Sequence, residues 1–279
     1  MRKTADRNVA VGFFDGVHCG HRAILTGADA VLTFSRHPLE LIHPEAAPQL
    51  IMSLAERVAA IRACGVADVK VLDFTEEIQS MPCEEFAARE FGRPGETKIR
   101  CGRDWRFGCG GVGNADWLRT HGYVVEMVDF CRYGGERISS SRIRRALLEG
   151  YIENANSMLG RPYLLSGCVV KGKGLGSQIG FPTVNIKLSE DKVPLLRRGV
   201  YTVVAGGSKG IANYGVAPTM GDAQWLTPIL EIHFTDEFNL VNPGDKLNIE
   251  FTGFIREERK FSSLEELRRQ IHIDLSEIG

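Results

Sequence analysis

The chain reads NVAVGFFDGVHCGH over residues 8–21. This stretch begins with apolar, β-favouring residues, passes through a glycine-containing turn, and leads into residues 22–26, which favour the start of a helix. Such a turn directs backbone N–H groups and the positive end of a helix dipole towards a phosphate group. The stretch therefore predicts the first strand, turn and helix of a phosphate-binding α/β domain.

The following 130 or so residues repeat the alternation of short apolar runs with amphipathic segments. We predict strands at residues 30–34, 68–74, 98–101 and 123–128, and helices at 53–64, 81–91 and 139–149. Alternating strands and helices are typical of a doubly wound parallel sheet with Rossmann-like topology. The first half of the chain is accordingly predicted to be an α/β domain.

The pattern changes beyond residue 160. Runs with β character at residues 168–171, 200–205, 210–213, 229–235 and 246–254 are separated by turns rich in Gly, Pro, Asn and Asp. This is typical of an antiparallel β-barrel. A closing helix is expected at residues 263–273, where Ser263 and Glu266 form a capping-box pattern. We place the domain junction near Gly160, which gives domains at residues 1–160 and 161–279.

Composition and charge indicate the class of protein. The chain has 279 residues, 43% hydrophobic and 25% charged, with a formal net charge of −1. A nearly neutral chain has no overall field to attract nucleic acid or an anionic membrane, and we predict neither as a partner. Seven widely spaced cysteines without a Cys-x-x-Cys pair are expected to be thiols in a reducing compartment. A cytoplasmic location is therefore expected, while the oligomeric state is left open.

Two histidines three residues apart lie at the predicted start of the first helix. Imidazoles at His18 and His21 can donate hydrogen bonds to triphosphate oxygens and stabilise the charge that grows when the α-phosphate is attacked. Gly20 between them allows close approach of the backbone to a nucleotide. The alternative is that the pair only caps a helix or lies in solvent.

A second group of phosphate-binding residue types starts the helix predicted at 139–149. Its hydroxyls and arginines supply neutral donors and fork-shaped cations for phosphate oxygens. A plain N-capped surface helix is the alternative. The residues concerned are Ser139, Ser140, Ser141, Arg142 and Arg144.

The second half of the chain contains a glycine-rich loop followed by an extended segment. The loop carries Gly172, Gly174, Gly176 and Gly180, and it lacks the spacing of a Walker loop. Thr183 and Asn185 alternate along the extended segment, so they share a face and offer oxygen ligands for Mg²⁺. Their alternative role is to satisfy the backbone of a turn.

Glu231 is a charged residue in an otherwise apolar strand. A kinase that acts on an alcohol needs a base to take the hydroxyl proton, and Glu231 is the candidate for it. The alternative is a solvent-facing strand glutamate.

Four strings in the first half resemble the nucleotidyltransferase superfamily, and in particular its FMN adenylyltransferase branch. They are GFFDGVHCGH at 12–21, TFSRHP at 33–38, GRDWRFG at 102–108 and RISSSRIR at 137–144. The resemblance implies that His18 and His21 hold the triphosphate of ATP, and that Asp104 and Arg137 lie close to FMN. It also implies an ATP site that includes Gly12, Phe13, Asp15, Gly20, Ser140, Ser141 and Arg144.

The string GFPTVNI at residues 180–186 resembles the riboflavin kinase motif. The resemblance implies ATP binding by Gly172, Gly174, Gly180 and Pro182. It further implies Mg²⁺ ligation by Thr183 and Asn185, and catalysis by Glu231.

Taken in order, these strings cover nearly the whole chain and resemble the bifunctional riboflavin kinase/FAD synthetases. The implied reactions are riboflavin plus ATP to FMN in the second domain, then FMN plus ATP to FAD and pyrophosphate in the first, both with Mg²⁺. Only about a dozen residues separate Gly20 from Thr33, where the family has a long helix. One alternative is therefore a monofunctional riboflavin kinase with a degenerate first domain. Another, a non-enzymatic flavin-responsive regulator, would need a DNA-reading module, and the sequence contains no basic helix-turn-helix segment to supply one.

Overall fold

A computed structural model describes residues 7–172, 176, 180–189, 194–216, 228–235 and 242–278. The chain divides into two compact units after Ser140. The predicted Gly174 and the neighbouring Lys173 lie outside the described residues.

The first unit is built on a parallel sheet, as the alternating pattern predicts. Five described strands follow the spatial order β3-β2-β1-β4-β5 and all their pairings are parallel. Their bounds are β1 Arg7–Val11, β2 Ala30–Phe34, β3 Asp68–Leu72, β4 Thr97–Gly102 and β5 Val124–Val128. A small antiparallel hairpin consists of β6 Arg132–Tyr133 and β7 Glu136–Arg137.

Short helices connect these strands. They are α1 Cys19–Leu25, α2 Leu39–Ile42, α3 Leu54–Ala63, α4 Glu76–Ser80, α5 Cys83–Phe91 and α6 Ala115–Thr120, with 3₁₀ turns at Pro44–Ala46 and Cys109–Gly111. The seven residues of α1 make two turns, as the short spacing before β2 predicts. The helix predicted at 81–91 starts later, at Cys83, because Pro82 disfavours helical geometry at Met81.

Each face of the sheet packs against its own apolar layer. Val9 and Val11 of β1 belong to one buried cluster, and Ala10 between them belongs to the other. Neighbouring β2 follows the same rule, since Leu32 joins the first cluster and Val31 the second. Successive strand residues point to opposite faces, and burial on both sides explains why residues 9–11 of β1 and 30–32 of β2 are consecutively apolar.

The second unit contains a closed antiparallel barrel, which confirms the prediction from the turn-rich second half. Six described strands close in the order β10-β11-β12-β9-β8-β13. Their bounds are β8 Tyr163–Val170, β9 Val184–Leu188, β10 Gly199–Ala205, β11 Ser208–Val216, β12 Pro228–Phe234 and β13 Lys246–Arg256. Strand β8 begins five residues before the predicted start at 168, and its alternating burial shows why it extends so far.

Three helices flank these strands in the described part of the second unit. They are α7 Ser140–Glu149, α8 Ile152–Leu159 and α9 Leu264–Ser276. Ser263 caps α9 by accepting a hydrogen bond from the backbone N–H of Glu266, as predicted. Asn156 of α8 donates to the carbonyl of Phe251 in β13 at 2.8 Å, so α8 packs on the barrel.

The domain junction near Gly160 coincides with the end of α8, where Gly160 adopts a left-handed C-cap conformation. The compact units divide earlier, after Ser140, and this division groups the rest of α7 and all of α8 with the barrel. The boundary at Gly160 stays a prediction.

Candidate active sites

The first candidate site lies where the order of the parallel strands reverses. Strand β1 pairs with β2 on one side and β4 on the other, so the connections that leave β1 and β4 run in opposite directions. In open α/β sheets, ligands bind beyond the carboxyl ends of the strands at such a switch point. His18 and His21 follow β1, and Asp104 follows β4. The topology therefore brings predicted site residues from the strings at 12–21 and 102–108 to one edge of the sheet.

The turn between β1 and α1 is strained. Phe14 has φ 61° and Val17 has φ 40°, in the left-handed region that residues other than glycine rarely adopt. Each such residue costs about 1–3 kcal/mol, so the surrounding structure must hold the turn in place. The Thr33 hydroxyl donates to the carbonyl of Phe13 at 3.1 Å, and the N–H of Val17 donates to the carbonyl of Phe14 at 3.0 Å.

Asp15, in the middle of this turn, is buried and stabilises the turn through hydrogen bonds. Its side chain is 1% exposed, and its carboxylate accepts hydrogen bonds from the backbone N–H groups of Ile51 at 3.0 Å and Met52 at 3.2 Å. Its carbonyl accepts from the Ser140 hydroxyl at 2.9 Å. The structure thus brings the predicted Asp15 and Ser140 together at the turn. A direct contact of Asp15 with ATP stays a prediction.

His18 and His21 stack on each other at the start of α1. Their ring centroids are 3.6 Å apart with an interplanar angle of 15°. His18 Nδ1 accepts a hydrogen bond from the backbone N–H of His21 at 3.2 Å, so His18 is the N-cap of the helix. Because Nδ1 is an acceptor, the hydrogen of neutral His18 resides on Nε2. Capping and phosphate binding are therefore compatible roles for this residue.

The environment of His21 keeps its imidazole neutral. Burial, followed by electrostatic interactions with His18, Arg137 and Arg57, lowers the pKa of His21 well below its usual range. Phe14 packs edge-on against the ring, with centroids 5.3 Å apart. A neutral imidazole in this position is a hydrogen-bond donor that does not carry a full charge of its own.

The two residues predicted to lie close to FMN form an ion pair. Arg137 donates from Nη2 to Asp104 Oδ2, and its guanidinium carbon lies 3.8 Å from the centroid of the Phe130 ring. The charge of Arg137 also acts on His21. The structure therefore pairs Asp104 with Arg137, and Arg137 is close enough to His21 for its charge to lower the pKa of that histidine.

The remaining residues predicted for the ATP site lie around the turn or on α7. A side chain at Gly12 would come within 3.0 Å of the Phe14 ring, and one at Gly20 within 3.2 Å of His18. Phe13 packs edge-on against His37, with centroids 4.9 Å apart. On α7, in the second unit, Arg144 donates to the Ser141 hydroxyl at 3.4 Å. The contribution of Ser141 and Arg144 to the ATP site stays a prediction.

The second candidate site follows from strand register on the barrel. Glu231 of β12 is directly opposite Asn185 of β9 and Asn213 of β11. Residues directly opposite in antiparallel strands project to the same face. Leu230 and Ile232, the neighbours of Glu231, are fully buried in the barrel interior. The row Asn185, Glu231 and Asn213 therefore lies on the outer face.

A cavity of about 360 Å³ covers this outer face. Its polar lining includes the predicted Thr183 and Glu231, together with Asn213, His233 and Arg256. Its apolar lining comes from the barrel, from Phe261 and from α9, and comprises Phe181, Val200, Ile211, Phe261, Leu264, Leu267 and Ile271. A largely apolar cavity with a few convergent polar groups is typical of a small-molecule site.

Two of the three described glycines of the glycine-rich loop lie close to Asn185 or Thr183. A side chain at Gly172 would come within 2.0 Å of Asn185 Nδ2, and one at Gly176 within 3.2 Å of the Thr183 hydroxyl. Gly180 has φ +88° and open space on the side where a side chain would start, so its turn conformation rather than crowding favours glycine there. The structure thus places Gly172 beside Asn185, and Gly176 beside Thr183.

His233 fixes the segment that carries Thr183. Its Nδ1 donates to the carbonyl of Pro182 at 2.8 Å, since a carbonyl only accepts, and its ring packs edge-on against Phe181 with centroids 5.2 Å apart. Phe181 also contacts His272 of α9 at a centroid distance of 5.0 Å. The predicted Pro182 is therefore a point of attachment to the strand that carries Glu231.

Comparison with known proteins assigns both halves of the chain. Residues 1–142 match the FAD synthetase family model, and residues 159–279 match the riboflavin kinase family model. Bifunctional riboflavin kinase/FMN adenylyltransferases from Pseudomonas fluorescens and Escherichia coli K12 are each 35% identical, over 95% of this chain and 90% of theirs. This chain belongs to the bifunctional riboflavin kinase/FMN adenylyltransferase family. The family predicted from the sequence is confirmed.

A solved structure has the same fold as this family member. It is described as a macrolide-efflux protein from Streptococcus pneumoniae, is 29% identical with a TM-score of 0.84, and aligns over 98% of this chain and 93% of that one. Among the described residues of the present chain, no helix is both long and apolar enough to cross a bilayer.

Sequence reasoning missed several residues of both sites. In the first, Arg57 is a buried arginine beside Phe13 and lies on a helix that matched none of the four strings. In the second, Arg256 lines the cavity and donates from Nε and Nη2 to the buried carboxylate of Asp274 in α9, at 2.9 and 2.7 Å. Strand alternation from Glu231 would have indicated His233, whereas nothing in the sequence distinguishes Asp274 from other helix carboxylates.

Proposed function

We propose that this chain converts riboflavin into FAD in two ATP-dependent steps, the first in the barrel and the second in the α/β unit. Both family models match, one on each half of the chain. The observation that carries the proposal is that each half has its own cluster of predicted residues, one at a sheet switch point and one in a barrel-face cavity.

In the kinase step, Glu231 takes the proton from the primary hydroxyl of riboflavin. The hydroxyl oxygen then attacks the γ-phosphate of ATP, and ADP leaves. Asn185 and Asn213 are directly opposite Glu231 on either side, so an amide group is available on each side of the base. The apolar lining of the cavity suits a flat aromatic ring system.

Thr183 and Asn185 are the residues that would hold Mg²⁺. A hydroxyl and an amide oxygen two residues apart on one face are suitable hard ligands, and both lie against the backbone of the glycine-rich loop. A bound Mg²⁺ would neutralise charge on the ATP phosphates. Gly172, Gly180 and Pro182 shape the backbone that receives those phosphates, and Gly174, which lies outside the described residues, stays a predicted ATP-binding residue.

In the adenylyl-transfer step, a phosphate oxygen of FMN attacks the α-phosphate of ATP and pyrophosphate leaves. His18, through Nε2–H, and His21 donate hydrogen bonds to the triphosphate and stabilise the charge that develops on it. Gly12, Phe13, Asp15 and Gly20 form the turn that places them, while Ser140, Ser141 and Arg144 complete the ATP site. Asp104 and Arg137 orient FMN.

One assay tests this proposal. Purified protein is incubated with ATP and Mg²⁺ plus either riboflavin or FMN, and the flavins are separated by chromatography. We expect FMN and then FAD from riboflavin, FAD and pyrophosphate from FMN, and neither product when EDTA removes the metal. Formation of FMN from riboflavin, with no FAD from either riboflavin or FMN, would favour a monofunctional kinase. The short, two-turn α1 is the feature that suggests this alternative. A cytoplasmic location and the lack of a nucleic-acid partner stay predictions.

A further inference from the structure

Arg57 is a buried cation beneath the first site. It lies in the first half of α3, its side chain is fully buried, and Ile61 one turn later is buried on the same face of the helix. Removing a guanidinium from water costs several kcal/mol unless its surroundings compensate. Apolar residues of similar size would fill such a position at lower cost. The contacts of Arg57 show what the cation does there.

The guanidinium joins the ends of two strands. Its Nη2 donates to the backbone carbonyl of Phe34 and, at 3.3 Å, to that of Ser35, both at the end of β2. Its carbon lies 3.9 Å from the centroid of the Phe13 ring, just after β1. This distance is within the range of a cation–π contact, which strengthens when the cation is desolvated. Arg57 therefore connects the end of β2 to the first residue of the strained turn.

The same turn is also held at Asp15, by electrostatic interaction with Arg57 and by hydrogen bonds. The carboxylates of Asp15 and Glu40 stabilise the charged form of Arg57, while burial opposes it and lowers the pKa of the guanidinium. Asp15 in turn accepts hydrogen bonds from backbone N–H groups of Ile51 and Met52, which immediately precede α3. The α3 region thus holds the turn at Phe13 and at Asp15, two residues apart and on either side of the strained Phe14.

We propose that Arg57 is a positioning residue for adenylyl transfer, which holds the turn at residues 13–17 and thereby sets the positions of His18 and His21. This rests on the proposed function of the first site. Arg57 is fully buried, so it acts through Phe13 and the turn without touching the nucleotide. Lysine cannot replace it fully, because only the planar guanidinium both stacks on a ring and donates to two carbonyls at once.

The test uses the two activities of one chain. Arg57→Met keeps the length of the side chain and removes its charge and donors. We expect kcat for FAD formation from FMN to fall about 10- to 100-fold, since small misplacements of reacting groups cost that much. The KM for ATP should change by less than about threefold, since the phosphate donors remain present. FMN formation by the barrel should be unchanged and serves as a measure of intact chain.

Arg57→Lys and Arg62→Met complete the series. Arg57→Lys keeps the charge without the planar fork, and we expect kcat between those of Arg57→Met and the wild type. Arg62 is on the same helix and exposed, so Arg62→Met is the matched control and should retain both activities. Urea denaturation of each variant measures how much of the α/β unit is folded under the assay conditions.

Three results would overturn the inference. The first is a folded Arg57→Met variant with wild-type kcat, and the second is a fall in kcat no larger than the fall in the folded fraction. If Arg57→Met does not fold, a folded Arg57→Lys variant with wild-type kcat is the third. Wild-type protein that makes no FAD from FMN would instead remove the proposed function of the first site, and the role of Arg57 with it.

Discussion

The two sites of this protein are built in opposite ways. The histidines of the α/β unit come from four consecutive residues at one tight turn, and His18 is only 5% exposed. The barrel site collects residues far apart in sequence, as the hydrogen bond between His233 and Pro182 across 51 positions shows, and Glu231 is exposed in a cavity. The first site depends on local backbone geometry, and the second depends on strand register.

This difference determines how each site can fail. A change beneath the turn at residues 13–17 shifts both histidines together, because the two stack on each other and share one hydrogen bond. In the barrel, a register slip of one residue would turn Glu231 into the interior and bring an apolar neighbour to the cavity.

The barrel site should lose its reaction when its base is removed. Glu231→Gln keeps the shape of the side chain and abolishes its ability to take a proton, so we expect FMN formation to fall about 1,000-fold, within the usual range for a general base. FAD formation from added FMN should be unaffected. Glu250→Gln is a matched control, because Glu250 is on strand β13 and is not among the described residues that line the cavity. Loss of less than tenfold would exclude Glu231 as the base.

Substitution in the first site, in the α/β unit, should impair FAD formation and spare FMN formation. His21→Ala removes one donor to the triphosphate, and we expect FAD formation from FMN to fall about 100-fold, as is typical for loss of a donor to developing charge. FMN formation from riboflavin should continue at the wild-type rate. The exposed His43 provides the control substitution, His43→Ala, which should retain both activities. Equal loss of both products in a folded His21→Ala protein would contradict the separation of the sites.

The barrel site should also depend on its buried ion pair. Asp274 is 1% exposed, and Asp274→Asn would leave Arg256 without its charged partner, which costs about 3 kcal/mol for a buried pair. The comparison is Asp116→Asn, which breaks the exposed pair with Arg119 and should cost less than about 1 kcal/mol. Urea denaturation measures both. Similar costs for the two variants would show that α9 is not held by this pair.

The smallest expected effect is a pH dependence of the α/β unit. The pKa of His21 is lowered by burial and by electrostatic interactions with His18, Arg137 and Arg57, so folded His21 stays neutral while unfolded His21 takes up a proton below about pH 6.5. As the pH is lowered below 6.5, the free energy of unfolding should therefore decrease. This one group can contribute at most about 1.4 kcal/mol per pH unit.

The contribution of His21 can be isolated by comparing urea denaturation of the wild type and His21→Asn at pH 7.5 and 5.5. We expect the wild type to lose more stability than the variant between these two values. An equal loss would show that His21 titrates normally in the folded chain.

The sequence predicts the fold well because each element carries its own pattern. Strand β2 has the predicted bounds, and α3 differs from its prediction by a single residue at each end. The later start of α5 at Cys83 and the earlier start of β8 at Tyr163 were missed, since boundaries depend on local exclusion by proline and on pairing with distant strands.

The sites were predictable only in part. His18 and His21 belong to one short string, three residues apart, so that string alone indicates chemistry. The strained backbone at Phe14 and Val17 has no signal in the residue types, and neither has the burial of Arg57 among other helix arginines. The row of Asn185, Glu231 and Asn213 arises from register, which a single sequence does not specify across long separations.

The central claim, that two independent sites act in series, is tested most directly by mixing two chains that are each impaired in one activity. With riboflavin, ATP and Mg²⁺, His21→Ala should accumulate FMN with FAD formation reduced about 100-fold, and Glu231→Gln should form FMN, and hence FAD, about 1,000-fold more slowly than the wild type. An equimolar mixture should form FAD much faster than either chain alone, because FMN released by the first protein is the substrate of the second. FAD formation by the mixture no faster than by the better single chain, with Glu231→Gln still converting added FMN, would contradict this account.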